Sequence, residues 1–283
     1  MTLSGDDFRV WLITGASSGL GRALAEAALG RGDKVVATAR DPQRLDDLAG
    51  RYPGQVIAAR LDVTDVDEAR AAVADGLAAF GRLDIVVNNA GYGLFGALEE
   101  LPGEELRREF ETNVFGALNV TRAALSQLRR QRSGHIVQIS SLEGIAPIAA
   151  GETAYAGTKF AVEGLAEALA KEVAHLGITV TIVEPGPLRT DFAAGAIARA
   201  PRSGDYADSV GKALEWFEGL SGHQPNDPSR VAAAIIEAIT SPEPPLRLAL
   251  GTEAVQAIRE KLDGQRRDLD AWEHLSASTA VTV

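Results

Sequence analysis

The sequence predicts an α/β fold: a doubly wound parallel sheet of about seven strands with helices on both faces. Three observations lead there. Short β-rich apolar runs recur seven times along the 283 residues. Ala- and Leu-rich stretches with helical spacing separate most of them. Runs such as Ile85-Val86-Val87 are apolar without alternation, which suits strands covered on both faces. Alternating strands and helices imply right-handed crossovers between parallel strands, a Rossmann-type order.

The first strand, Val10 to Ile13, is wholly apolar, and a helix follows from near Gly21 to Gly30. Lys34 to Ala39, with its Val35-Val36 pair, gives the second strand, and Gln55 to Leu61 gives the third. The Ala-rich stretch Val66 to Phe80 leads into the fourth, Leu83 to Asn88. A long helical stretch, Glu104 to Gln131, precedes the fifth strand, His135 to Ser140. Tyr155 to His175 precedes the sixth, Ile178 to Glu184, and Leu246 to Leu250 is the seventh. The segment Pro185 to Pro228 breaks the pattern with Gly, Pro and Ser yet carries Phe192, Tyr206, Trp216 and Phe217. Long irregular segments rich in aromatic residues are usually binding loops, so a substrate lid is expected over 187–228. A C-terminal extension, 251–283, completes a single domain over 1–283, with Ser276 to Val283 expected to be loose.

Composition narrows the function by exclusion. A net charge of −11 repels nucleic acid phosphates and anionic lipid. Cys is absent and His135, His175, His223 and His274 show no metal-ligand spacing, so no metal is expected. Met1 to Asp7 is acidic, without the basic and apolar regions of a secretory signal, and no apolar run reaches the roughly 18 residues of a membrane span. A soluble cytoplasmic protein, with neither nucleic acid nor membrane as partner, is the expectation.

In such sheets ligands bind beyond the C-terminal strand ends, so motifs there carry most weight. The first strand runs into Thr14-Gly15-Ala16-Ser17-Ser18-Gly19-Leu20-Gly21. Backbone amides and a helix N-terminus can meet a pyrophosphate there, Ser17 and Ser18 can donate to its oxygens, and glycine lets the ligand approach. After the fifth strand come Ser140 and Ser141, then Tyr155-Ala156-Gly157-Thr158-Lys159 at a helix start. Four-residue spacing puts Tyr155 and Lys159 on one helical face, where an ammonium can favour the phenolate over its ordinary pKa of about 10. Tyr155 is then the candidate acid or base. Ser141 supplies a second donor to a developing oxyanion, and Ser140 is expected on the opposite side of the strand.

The spacing Thr-Gly-x-x-x-Gly-x-Gly, with Tyr-x-x-x-Lys downstream, resembles the short-chain dehydrogenase/reductase family from Val10 to Phe192. The resemblance implies a nicotinamide cofactor. Asp62-Val63 stand where the family contacts adenine, and Asn88-Asn89-Ala90-Gly91 match its Asn-Asn-Ala-Gly motif, of which Asn89, Ala90 and Gly91 are carried over to the cofactor site. Lys159 matches the ribose-binding Lys, and Asn113 matches the Asn that opens a helix to hold a proton-relay water. Pro185-Gly186 resemble the segment bordering the nicotinamide, with Thr190 able to bond its carboxamide or a phosphate. Ala39 stands where NAD enzymes of the family usually have Asp, and Arg40 follows, able to pair with a 2′-phosphate despite Asp41 beside it. NADP(H) is therefore expected. Ser141 and Tyr155 are 14 apart, one more than the family's usual spacing, which implies an inserted residue within Gly144 to Thr153.

The expected reaction moves a hydride between nicotinamide and a small carbonyl or secondary alcohol, with Asn113, Ser141, Tyr155 and Lys159 as catalytic residues. Leu94, Phe95, Leu142, Ile145, Ile148, Leu188 and Phe192 are candidate pocket walls for a lipophilic or aromatic substrate. Glu143 faces either the substrate or solvent. Sugar or carrier-bound acyl substrates are the alternative, with Arg189, Arg199 and Arg202 the basic residues near the lid. A cofactor-binding sensor or scaffold without turnover is a further one. By resemblance, Glu104 to Gln131 and Tyr155 to His175 form the interface of a homodimer or homotetramer.

Overall fold

The computed structural model describes residues 8–192, 197–199 and 203–281. Nine strands are present among them: β1 Val10–Ile13, β2 Lys34–Ala39, β3 Val56–Arg60, β4 Ile85–Asn88, β5 Gly93–Phe95, β6 Gly134–Ile139, β7 Ile178–Pro185, β8 Ile197–Arg199 and β9 Arg247–Leu250. Seven form one sheet in the order β3-β2-β1-β4-β6-β7-β9, every pair parallel. The strand order reverses between β1 and β4, which opens a crevice at their C-terminal ends. The small parallel pair β5-β8 lies outside the main sheet.

The helices are α1 Gly19–Gly30, α2 Asp46–Arg51, α3 Val66–Phe80, α4 Gly103–Phe110, α5 Ala117–Gln131, α6 Thr153–Val173, α7 Lys212–Gly219, α8 Pro228–Ile239 and α9 Thr252–Ala277. They make two layers because strand residues alternate between faces. Trp11, Ile13 and Val35 pack under α1 and α8, while Leu12, Val36 and Val86 pack under α3, α5 and α6. Trp11 is fully buried, and its indole N–H donates to Asp33 Oδ2 at 2.9 Å, so its one polar atom is satisfied. Side-chain caps start the helices that flank the crevice: Asp65 accepts from Asp67 and Glu68 amides at α3, and Asp227 from Ser229 and Arg230 amides at α8.

Three segments differ from the sequence reading. Glu104 to Gln131 is two helices joined by a wide π-type turn, Glu111–Gly116. Asn113 turns its side chain onto neighbouring segments there, and a Cβ on Gly116 would stand 2.5 Å from Val63 Cγ2, so the turn is shaped by what it packs against. The described part of the lid carries regular elements: β8, a π-type turn at Ala207–Gly211 and α7, the last two packed through Val210 and Leu214 against Phe95 and Tyr155. Arg202 lies outside the described residues. The C-terminal extension carries a 26-residue helix reaching Ala277, so Ser276 and Ala277 of the segment expected to be loose are helical.

Candidate active site

Thr14 is the hub of the crevice. Its Oγ1 donates to Val87 O at 3.2 Å and accepts from the Asn89 and Ala90 amides at 2.9 Å each, which ties the end of β1 to the end of β4. Asn89 Nδ2 donates back to Thr14 O at 2.8 Å and Gly15 O at 3.3 Å. The turn is held rigid from beneath. Gly15 and Gly19 have φ of +66° and +56°, a conformation that favours glycine. A Cβ on Gly21 would stand 2.5 Å from Asn89 Nδ2 and from Gly15 O. Ser18 is exposed at the N-cap of α1 and makes no side-chain capping bond, so the first-turn amides are free to face an anion, with Ser17 half-buried beside them. Leu20 turns its side chain into the core, leaving its backbone for the turn.

These features fit a dinucleotide pyrophosphate, and the flanking residues fit the rest of it. Arg40 is exposed after β2 and has no carboxylate partner among the described residues. Asp41 is occupied instead as the cap of the next turn, accepting from Gln43 N at 3.1 Å. Against the upward push of partial burial, the Thr64 bonds and nearby Arg40 and Arg60 hold the Asp62 carboxyl below its usual range. Val63 packs its side chain into the core. Gly91 lies against Asn113, whose Oδ1 would be 2.9 Å from a Cβ there. Pro185 and Gly186 end β7, and Glu253 of α9 lies over Gly186 while bonding Asn226. The Thr190 side chain is 3.6 Å from the position of a Gly19 Cβ, beside the phosphate turn.

The chemical end sits on α6. Tyr155 is buried beside the Ser141 side chain, whose Oγ accepts from Glu143 N at 3.2 Å. Ser140 lies on the other side, where it and Glu163 crowd Gly144. Lys159 Nζ donates to Ile139 O at 3.0 Å and lies 5.5 Å from the Tyr155 ring centroid. Asn113 Nδ2 donates to Tyr92 O at 2.7 Å and Thr158 Oγ1 at 3.1 Å, and its Oδ1 accepts from Tyr92 N at 3.0 Å. Ser141, Tyr155 and Lys159 stand together, and Asn113 reaches the same helix through Thr158.

Among the protein's own groups the Tyr155 phenol lies above its ordinary value. Burial pushes it well above 10, the Ser141 bond opposes this, and Glu143, Glu109 and Glu152 push it further up. Burial also lowers Lys159 to about 8, with Glu109 and Glu163 acting against the fall. At neutral pH Tyr155 is therefore a neutral phenol, while Lys159 keeps its proton.

Two buried carboxyls around the site, Glu109 and Glu152, escaped the sequence reading, and a third, Glu143, faces neither of the places expected for it. Glu109 accepts from Leu94 N at 2.8 Å, its other oxygen has no partner among the described residues, and burial raises it to about 7. Glu143 is buried against Glu152, not on the surface, because the loop folds both onto its own amides. A carboxylate in an apolar stretch, as in Leu142-Glu143-Gly144, was the only available signal.

The expected walls divide. Phe95 and Phe192 flank Tyr155 with ring centroids 5.4 and 5.8 Å away, and Phe217 joins Phe95 at 5.1 Å. Leu94 instead packs with Leu101 and Ala154, and Leu188 packs against the α1/α8 core, so neither lines this aromatic cluster. Ile148 is exposed. Arg189 donates twice to Gln224 O, which makes it a brace of the lid base.

Comparison with known proteins places these features. Residues 9–200 match the family described as short chain dehydrogenase. The chain is 40% identical to oxidoreductase BOA17 of Botryotinia fuckeliana over 96% of this chain and 99% of that protein. It is 37% identical to retinol dehydrogenase 8 of Homo sapiens, over 84% and 80%. A short-chain dehydrogenase structure from Streptomyces avermitilis superposes with TM-score 0.91 at 47% identity, covering 98% of this chain and all of that one. One from Burkholderia phymatum in complex with NAD gives 0.80 at 25% identity, over 93% and 97%. An alcohol dehydrogenase from Thermococcus sibiricus complexed with 5-hydroxy-NADP gives 0.71 at 26% identity, over 86% and 96%.

Proposed function

The chain belongs to the short-chain dehydrogenase/reductase family, and from that membership we propose that it is an NADP(H)-dependent oxidoreductase acting on a small lipophilic or aromatic carbonyl or secondary alcohol. The observation that carries this reading is the buried Tyr155 phenol beside the Ser141 side chain, one turn before Lys159 and inside an aromatic cluster.

A nicotinamide, when bound, supplies or accepts the hydride. Gly15, Ser17, Ser18, Gly19, Leu20 and Gly21 would hold its pyrophosphate, and Arg40 would pair with a 2′-phosphate. Asp62 and Val63 would border the adenine, Asn89, Ala90 and Gly91 would lie beneath the cofactor, and Pro185, Gly186 and Thr190 would border the nicotinamide. In reduction Tyr155 gives its proton to the substrate oxygen, and in oxidation it takes that proton back. Ser141 donates a second hydrogen bond to the same oxygen as negative charge gathers there. Lys159 holds the ribose, and Asn113 keeps the relay that returns the proton to Tyr155. Phe95, Phe192 and Phe217 exclude water and give the substrate an apolar wall.

The protein acts in the cytoplasm as a homodimer or homotetramer. Among the described residues no helix is long and apolar enough to cross a membrane. An apolar groove between α5 and α6, with Leu118, Leu125, Leu165 and Leu169 on its walls, supports pairing there.

The test is NADPH oxidation across a panel of lipophilic and aromatic ketones. Turnover in the parent, with none in Tyr155→Phe that still binds NADPH, is expected. Cofactor binding without hydride transfer to any member of the panel would point to a sensor instead.

A further inference from the structure

The distal half of α9 leaves the body of the protein. From Arg259 to Ala277 every side chain is exposed, including Leu262 at 53%, Leu269 at 68%, Trp272 at 63% and Leu275 at 58%. Helices in proteins draw most of their stability from packing, which this stretch lacks within one chain, and Gly264 weakens it further. The exposed apolar residues are not scattered. Leu262, Leu269 and Trp272 continue, on alternating steps of three and four, a series begun by the half-buried Val255 and Ile258, with Gln265 at a polar place and Leu275 beside it. That is an a/d stripe, the narrow kind that takes one other helix and not the broad face that lies in lipid.

The charges say which helix. From Arg259 to Arg267 there are four cations, Arg259, Lys261, Arg266 and Arg267, against two carboxylates. From Asp268 to Glu273 there are three carboxylates and no Lys or Arg. The helix is therefore complementary to itself when reversed. A parallel pair would set Lys261 beside the partner's Arg266, and Asp268 beside the partner's Glu273, each twice. A reversed pair centred near Arg267 sets Leu262 against the partner's Trp272 and Arg259 against the partner's Glu273, with like charges meeting only at Arg266 and Asp268 on the axis. Among the described residues no ion pair engages Arg259, Lys261, Arg266 or Glu273 within one chain. The excess of acid over base along α9 also disfavours an anionic membrane surface.

We propose that the distal half of α9, residues 259–277, pairs with the same helix of a second copy as an antiparallel coiled coil, an interface separate from the α5/α6 groove. The full chain is followed by sedimentation velocity and light scattering. The double variant Leu262→Asp with Leu269→Asp is expected to halve the assembly mass while the thermal unfolding of the domain is unchanged. An unchanged mass overturns the proposal. Because the chain has no Cys, orientation is read by oxidative cross-linking. The double variant Leu262→Cys with Trp272→Cys is expected to give a covalent dimer and each single variant none. Covalent dimers from the single variants overturn the reversed geometry. Flotation with phosphatidylcholine/phosphatidylglycerol vesicles, lost in the Asp variant, would assign the seam to lipid. These readouts do not depend on turnover, so failure here is distinct from failure of the oxidoreductase reading.

Discussion

Glu143 and Glu152 close on one backbone amide: Ile148 N donates to Glu143 Oε2 at 3.3 Å and to Glu152 Oε2 at 3.1 Å. Two carboxyls this close and this buried retain a proton between them. Burial first, then hydrogen bonding to Glu152, then the Glu152 charge lift Glu143 from 4.5 to about 10. The folded chain thus keeps a proton that the unfolded chain releases above its ordinary value. The resulting stabilisation is full at low pH and is lost as pH rises toward about 10. Glu143→Gln replaces the shared proton with an amide hydrogen. It is expected to flatten the fall in unfolding free energy between about pH 6 and 9 by up to roughly 1.4 kcal/mol per unit. Denaturant titrations at several pH values measure this, and parallel slopes for the two proteins would count against proton sharing.

The two serines at the end of β6 are separable. Ser141→Ala removes the hydroxyl beside Tyr155 and is expected to lower kcat by about 10² to 10³, the usual loss of one oxyanion donor. Ser140→Ala, beside Glu163, is expected to leave kcat within about threefold and to act on stability alone. Steady-state kinetics of both variants decide the matter; equal losses would remove Ser141 from the chemistry.

Arg40 is exposed and unpaired among the described residues, while its neighbour Asp41 is committed to a cap. Arg40→Ala should weaken NADPH binding by about tenfold or more, a typical charged hydrogen-bond loss, with little change for NADH. Fluorescence titration with both nucleotides is the measurement. A matched loss for the two cofactors would show that Arg40 does not read the 2′-phosphate.

Two glycines of α1 should respond in opposite directions. A methyl at Gly21 would stand 2.5 Å from Asn89 Nδ2 and Gly15 O, whereas at Gly30 nothing lies within 4 Å. Gly21→Ala is expected to cost about 1–3 kcal/mol and to impair cofactor binding by moving the turn. Gly30→Ala should be neutral or stabilising by up to about 1 kcal/mol. Chemical denaturation with and without NADPH distinguishes them.

Burial lowers Lys159 to about 8, and the Glu109 carboxylate acts against that fall. Glu109→Gln removes the opposing charge, so Lys159 should lose its proton at lower pH. If the alkaline limb of the kcat/KM profile follows Lys159, it moves acidward in this variant. An unmoved limb would exclude Glu109 as a positioning residue for Lys159.

The seven strands and the crevice were legible because continuous apolar runs and glycine turns repeat at local spacing. Tyr155, Lys159 and Ser141 were legible for the same reason: helical spacing and a strand end bring them together. Glu109, Glu143 and Glu152 were not, since their burial depends on amides of Leu94, Ile148 and Ala149 that only the folded loops present. The π-type turn at Glu111–Gly116 likewise depends on Tyr92 and Thr158, which no local pattern connects to Asn113. The lid was read as irregular because its helix, Lys212–Gly219, packs on residues far away in the chain.

The bond from Asn89 to Thr14 closes a loop of 75 residues, and it joins the two strands on either side of the reversal. A contact so distant in sequence carries a high closure entropy and forms late. The nucleotide cradle therefore exists only once the two halves of the sheet have met, and no fragment ending before β4 can assemble it. In a refolding experiment, recovery of cofactor binding would time that meeting and lag behind the return of helical signal.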